Sequence, residues 1–263
     1  MHPAQQPPSP ARAFPTGEPG TGALVEHALA TGHGRWWTDR RDRPRAVAVT
    51  CAGHALLAGD PTALAPAALA PLAPLADHCV EAPDRFLPVL DAAFAHLRTW
   101  ERMLYLHTAP TPFPPRVPQG LTVRRLSAPD APALAAMDPA MAWIHRSWGE
   151  PSALAASGLG WAAFRKDQVL TLTCTRFLGS RYEDLACATV PDERRRHLAL
   201  ACVSGLTADV TARGHRATWT CSRDNRPSRL LAWTAGFRLA REYVHHVAGP
   251  ATVSNPSGFG AAA

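Results

Sequence analysis

Leu185-Ala186-Cys187-Ala188-Thr189-Val190 runs into Pro191-Asp192-Glu193-Arg194-Arg195-Arg196-His197-Leu198-Ala199, and the reading of this stretch decides the fold. The first six residues are a short apolar run of the kind that makes a buried strand. Beyond the arginines, Leu198, Cys202, Val203, Leu206 and Val210 fall on one helical stripe, and Gly214 ends the helix through the left-handed cap that glycine permits. Strand, turn and helix follow in that order. The first turn of a helix leaves backbone N–H groups unpaired and carries partial positive charge, so an anion is stabilised there. Three consecutive arginines add charge to the same turn. Arg194, Arg195, Arg196, His197, Leu198 and Ala199 are therefore the candidate anion-binding residues.

Working outward, the flanking sequence alternates strands and helices. Residues 182–190 close a meander whose earlier strands are 159–164 and 169–177, separated by the polar turn 165–168. Before it lie a strand at 121–126, a helix at 131–137 and a second helix at 139–148 with Trp143 and Trp148 near one face. After the amphipathic helix come a strand at 217–221, a helix at 226–235 capped by Asn225 and ended by Gly236, and a last strand at 237–247. The predicted class is a mixed-sheet α/β (α+β) fold. Residues 109–120 sit in a segment with five prolines between Thr108 and Gly120, which withholds helix and ladder hydrogen bonds and reads as a linker. Residues 23–108 read as a smaller α/β domain: a short helix near Leu24, His27 and Ala28, a hairpin of 45–51 with 54–58, and near-helical spacing of Leu90, Phe94, Leu97 and Met103 or Leu104 across 86–104. Residues 1–22 and 249–263 are Pro-, Gly- or Ala-rich and are expected to be loose, and no repeat of fixed period is visible.

Composition narrows the function classes. The chain has 263 residues, 46% of them hydrophobic, and a formal net charge of +6. Lys166 is its only lysine, and an arginine-for-lysine, Ala/Pro-rich bias makes nucleic-acid binding an uneconomical explanation of the charge. The six cysteines show no C-x-x-C spacing, which favours reduced core thiols over a zinc site or a disulfide framework. His245-His246 alternates faces on a strand and makes a poor metal pair, so no metal is expected. There is no apolar run of about eighteen residues and no signal-peptide core, so the expected location is cytoplasmic, without membrane contact.

The order of strand, Arg-rich turn, amphipathic helix, strand, Asn225-x-x-Ser228 and Gly236-Phe237 resembles the GNAT superfamily of acyl-CoA-dependent N-acyltransferases. The resemblance covers roughly 120–248, and the preceding region resembles the two-part organisation of an actinobacterial GNAT subgroup. The family pattern Q/R-x-x-G-x-G/A falls on Arg194, His197 and Ala199. The resemblance implies an N-acetyltransferase that uses acetyl-CoA as co-substrate, with two neighbouring strands splayed apart to admit the pantetheine arm. It implies that backbone groups of Ala188, Thr189 and Val190 pair with that arm, that an N–H near Val190 faces the thioester carbonyl, and that the turn 194–199 holds the diphosphate. Asn225 and Ser228 would touch the cofactor arm from the next helix, although Asn225 reads equally as a simple N-cap.

Two departures stand out. His197 occupies the usual glycine, where a negative φ would leave its N–H usable and its imidazole near phosphate. Ala232 occupies the position of the tyrosine that protonates the leaving thiolate in many relatives, but a thiol of pKa about 8.5 can take its proton from solvent. Glu183 and Asp184 begin the acyl-site strand, and strand alternation sends one of them into the acceptor cleft as the candidate base. Trp143, His145 and Trp148 border the expected acceptor side. The expected acceptor is a small-molecule amine, because the N-terminal region can wall off the cleft, and the expected assembly is a monomer or homodimer. The alternative is a catalytically inactive GNAT-like protein that binds an acyl-CoA or a partner, motivated by His197 and Ala232.

Overall fold

The computed structural model describes residues 1–4, 14–64, 70–94, 96–111 and 115–248. Among them, twelve strands form one sheet: β1 (His2–Ala4), β2 (Arg35–Thr38), β3 (Ala46–Cys51), β4 (His54–Gly59), β5 (Cys79–Glu81), β6 (Leu97–His107), β7 (Thr122–Arg125), β8 (Gly160–Arg165), β9 (Gln168–Leu178), β10 (Tyr182–Thr189), β11 (Arg216–Ser222) and β12 (Phe237–Ala248). Their order across the sheet is β1-β2-β3-β4-β5-β12-β6-β11-β10-β9-β8-β7. The helices are α1 (Ala23–Thr31), α2 (Leu87–Ala93), α3 (Ala131–Ala135), α4 (Pro151–Ser157), α5 (Leu198–Ala212) and α6 (Arg226–Thr234).

Only β4·β5 and β10·β11 pair in parallel among the described strands; every other neighbouring pair is antiparallel. A meander therefore leads into a parallel pair twice, once in each half of the chain. The strand that follows each parallel pair has changed sides. β6, from the first half, lies against β11, while β12, from the second half, lies against β5. The two exchanged strands pair with each other from Phe237↔His107 to Ala248↔Leu97. The strands of residues 23–108 and 121–248 share one sheet, so the separate smaller α/β domain expected from the sequence is not shown.

Further differences have local causes. The predicted helix over 86–104 is α2 followed by β6, because Phe94 turns the chain extended and β11 and β12 then supply ladder partners on both sides. The segment Pro139–Trp148 is a 3-10 helix. The N-terminal residues are not all loose: β1 pairs with β2, and Phe14 is buried against Trp36. The 249–263 tail lies outside the described residues.

Two apolar layers cover the part of the sheet that carries the Arg-rich turn. Leu200, Val203, Leu206 and Val210 of α5 pack on Leu185 and Cys187 of β10 and on Ala217, Trp219 and Cys221 of β11. On the opposite face, Met141, Trp143, Ile144 and Trp148 pack on Cys174, Ala186 and Ala188. The halves are tied through buried His27 of α1. Its Nδ1 accepts from the Leu178 N–H at 3.2 Å, so its Nε2 carries the proton and donates to the Ser147 carbonyl at 2.8 Å.

Candidate active site

The parallel pairing of β10 with β11 starts at Tyr182↔Arg216 and stops at Leu185↔Trp219, although both strands continue. Beyond that point β10 keeps its antiparallel ladder with β9 and β11 keeps its ladder with β6. A wedge therefore opens between residues 186–189 and 220–222. Antiparallel alternation decides which backbone groups face it. The Val190 N–H donates to the Leu170 carbonyl at 2.9 Å. Val190, Ala188 and Ala186 thus turn toward β9, and Cys187 and Thr189 turn their N–H and C=O groups into the gap. The backbone groups of Val190 and Ala188, expected to meet the cofactor arm, do not face the gap, because the first is already bonded to Leu170 and the second turns toward β9. The Thr189 carbonyl, reached by Arg194 Nε at 3.4 Å, fits this geometry.

The wide end of the wedge meets the Arg-rich turn. A cavity of about 420 Å³ there is lined by Thr189, the turn residues 193–200, and Pro227, Leu230, Leu231 and Thr234 of α6. Arg194 and Arg195 are exposed, whereas Arg196 is tied to Glu193, which also takes Arg165 at 2.7 Å. His197 is the N-cap of α5 with φ +60°, and Arg195 has φ +61°. The histidine is therefore left-handed, not in the negative-φ form considered above. It holds the conformation that glycine adopts freely. Its side chain is exposed and leaves the first turn of α5 open to the cavity. Asn225 and Ser228 do not line this cavity. Asn225 Oδ1 accepts from the Ser228 N–H at 3.1 Å as an N-cap, and buried Ser228 Oγ accepts from Trp219 Nε1 at 3.0 Å.

At the narrow end of the wedge the two candidate carboxylates separate. Glu183 faces α5, where the Arg213 guanidinium pairs with it at 2.9 Å and His215 Nδ1 lies at hydrogen-bond distance, 3.0 Å. Asp184 faces the side of the sheet opposite α5. It accepts from Thr218 Oγ1 at 2.8 Å and from Thr220 Oγ1 at 3.2 Å and is 1% exposed. Burial pushes its carboxyl up to about 6, against the pull of the Thr218 hydroxyl and the Arg176 guanidinium. Gly20 lies over this spot, close enough that a Cβ would meet Leu104 at 2.9 Å and Thr220 at 3.3 Å. Cys187 is buried and its thiol is pushed up to about 12, which argues against a covalent acyl-cysteine.

The aromatic residues proposed to border the acceptor are core. Trp148 Nε1 donates to the Thr175 carbonyl at 2.8 Å, and Trp143 lies beside the Arg176 guanidinium. His145 is half-buried and is not among the hydrogen-bond partners of Asp184. Sequence reasoning missed Arg102 and Arg176, buried arginines on the sheet face that carries Asp184. Arg102 was assigned to a helix, and Arg176 sits in a bulge: Asp184 faces Phe177 while Leu185 faces Thr175, which leaves Arg176 unmatched. Among the described residues no group of His, Cys, Asp and Glu is placed to hold a metal, and no helix is long and apolar enough to cross a membrane.

A splayed parallel pair whose open end meets a helix N-terminus describes an acyltransferase scaffold. The sequence pattern of the GNAT acetyltransferase family matches residues 16–246, and the chain belongs to that family of N-acetyltransferases. It is 54% identical over 209 residues, 79% of this chain and 86% of the other, to an uncharacterised N-acetyltransferase in the mutA 5′ region of Streptomyces virginiae. Solved structures share the fold at low identity. A GCN5-related N-acetyltransferase-like protein of Streptococcus suis has TM-score 0.65 and 15% identity, covering 90% of this chain and 96% of that one. A GNAT-family acetyltransferase of Colwellia psychrerythraea has TM-score 0.55 and 13% identity, covering 90% and 92%. A tandem GNAT protein from the clavulanic acid pathway has TM-score 0.54 and 13% identity, covering 90% of each chain.

Proposed function

We propose that this chain transfers an acetyl group from acetyl-CoA to the amine of a small molecule by direct attack in a ternary complex. The observation that carries the reading is the wedge between β10 and β11, running from buried Asp184 to the cavity at the Arg-rich turn. Bound acetyl-CoA supplies the activated acetyl carbonyl and a thiolate leaving group. Cys187 and Thr189 offer backbone groups to an amide-bearing arm, in the manner of an added strand. Their N–H groups are also the candidate donors to the developing oxyanion. The left-handed residues at 195 and 197 turn successive N–H groups, with the first turn of α5, toward a diphosphate, and Arg194 and Arg195 add charge. Asp184 takes the proton released as the amine nitrogen bonds to the carbonyl carbon and the carbon–sulfur bond breaks. The thiolate is protonated by solvent, since Ala232 is an apolar core residue.

A small acceptor is favoured because Gly20–Gly22 packs against β10 and β11 over Asp184 and leaves little room for a polypeptide. The test is calorimetric titration with acetyl-CoA, followed by thiol release in the presence of an amine panel. Micromolar binding with amine-dependent thiol release supports the transferase. Binding without turnover supports the alternative of an acyl-CoA-binding GNAT protein, and no binding overturns both and leaves only the partner-binding scaffold. His197→Gly refines the outcome: tighter binding makes the imidazole an obstruction, and weaker binding makes it a phosphate ligand.

A further inference from the structure

The sheet face that carries Asp184 also holds two buried guanidinium groups, Arg102 and Arg176, without a carboxylate partner among the described residues. Arg102 stands on β6, opposite Ser222 of β11 and Tyr243 of β12. It is 4% exposed, and its Nε and Nη1 have no hydrogen-bond partner among the described residues. Arg176 is 7% exposed, and its Nε is likewise without one, while one terminal nitrogen donates to the Ala52 carbonyl at 3.0 Å. Neither guanidinium forms an ion pair with a described carboxylate. Glu81, an acid on the same face, is taken by Thr21, by Arg241 at 3.0 Å and by His245 at 3.8 Å. Asp184 spends its hydrogen bonds on two threonines.

A buried guanidinium with idle donors is strongly destabilising unless an anion meets it. Hydrogen bonds between charged partners are among the strongest in proteins. The idle nitrogens of Arg102 lie on the face and strand level where β10 and β11 have already parted, because Arg102 pairs with Ser222, beyond the last paired residue Trp219. Stacking over the Trp100 ring at 4.5 Å holds the guanidinium plane, and Trp100 is fixed by its Nε1 donating to Ser222 Oγ at 2.8 Å. A cavity of about 440 Å³ lies nearby, lined by Glu81, Arg241 and Gly22, although not by Arg102 itself.

We propose that the acceptor amine carries an anionic group, a carboxylate or a phosphate, which Arg102 receives while Asp184 faces the amine, with Arg176 adding to the field. The inference rests on the transferase reading and gives its acceptor a chemical class. Arg102 is then a specificity-determining residue, and the uncompensated charge of the unliganded protein is what the acceptor's anion relieves.

The test compares amines that differ only in that group: amino acids and aminoalkyl phosphates against the corresponding amides and uncharged amines, each read as kcat/KM for thiol release. The expected result is at least a tenfold preference for one anionic series in the native enzyme, competitive inhibition by the deaminated acid, and none by its amide. Whether carboxylates or phosphates win identifies the source of the anion. In Arg102→Met the preference falls to near unity, while the dissociation constant for acetyl-CoA stays within twofold. That retained binding separates a lost acceptor contact from a misfolded protein. Should Arg102→Met not fold, the native preference and the inhibition pattern decide alone. Equal use of neutral and anionic amines, or a preference that survives in Arg102→Met, overturns the proposal. If acetyl-CoA does not bind the native protein at all, the transferase reading has failed instead. If it binds but no amine turns over, thermal-shift titration decides: stabilisation by the deaminated acids and not by their amides supports the site, and its absence overturns it.

Discussion

On the proposed reading, Asp184 is held in a state that favours chemistry over stability. Its carboxyl, raised to about 6 chiefly by burial, binds a proton more readily in the folded chain than in the unfolded one. Stability is therefore present at low pH and falls as pH rises from the unfolded carboxyl value through about 6. Asp184→Asn keeps the shape and removes the charge. Equilibrium urea denaturation at pH 7.5 should show this variant more stable by about 1–3 kcal/mol. Its kcat should drop by about 100-fold or more, the range expected for loss of a positioned base. The native kcat/KM should climb as pH rises through about 6, since the carboxylate is the active form, and this inflection should be missing from the variant's profile. His197 is the second telling residue. Left-handed geometry costs a non-glycine side chain roughly 1–2 kcal/mol, partly offset in His197→Gly by the chain entropy glycine regains on unfolding. The net expectation is a gain of about 0.5–1 kcal/mol in denaturant midpoint analysis, whatever happens to acetyl-CoA affinity.

At the scale of elements, the proposed anion seat depends most on α5, whose first turn lines the cavity at the Arg-rich turn and whose flank packs on β10 and β11. Its seating depends on Gly205, where a Cβ would meet the Trp161 ring at 2.5 Å, and on Trp161 Nε1 donating to Asp209 at 2.7 Å. Gly205→Val should destabilise the fold by about 1–3 kcal/mol through overpacking. It should also weaken acetyl-CoA binding, read by calorimetry, although residue 205 is remote from the turn. Much of this region was legible in the sequence. The apolar run 185–190, the stripe on α5 and the Gly214 and Gly236 stops encode β10, α5 and α6 directly through periodicity and capping. The splay could be expected only from resemblance, since nothing in residues 186–189 says which neighbour they lack. The choice between Glu183 and Asp184 needed the real pairing, because alternation separates the two but does not say which face α5 covers. Arg102 and Arg176 were hidden for different reasons. The first sits in a strand whose spacing imitates a helix, and the second is displaced by a bulge that leaves no compositional mark.

For the whole molecule, the exchange of β6 and β12 overrides the proline-rich segment as a boundary. That segment promises two separable domains, but each half borrows a strand from the other. Residues 121–263 expressed alone should lack the partner of β11 and give little ordered structure by circular dichroism. Mixing them with residues 1–120 should restore the native spectrum and any acetyl-CoA binding. The intact chain should unfold in one calorimetric transition. A fragment 121–263 that folds and binds unaided would contradict this. The exchange also sets a schedule for synthesis. The edge of β5 leaves the ribosome on the order of ten seconds or more before its partner β12 has been translated, at ordinary elongation rates. Throughout that interval an unprotected sheet margin is open to unwanted pairing. Nascent chains truncated ahead of β12 should therefore depend on holding chaperones, and slowing translation should lower the yield of native enzyme.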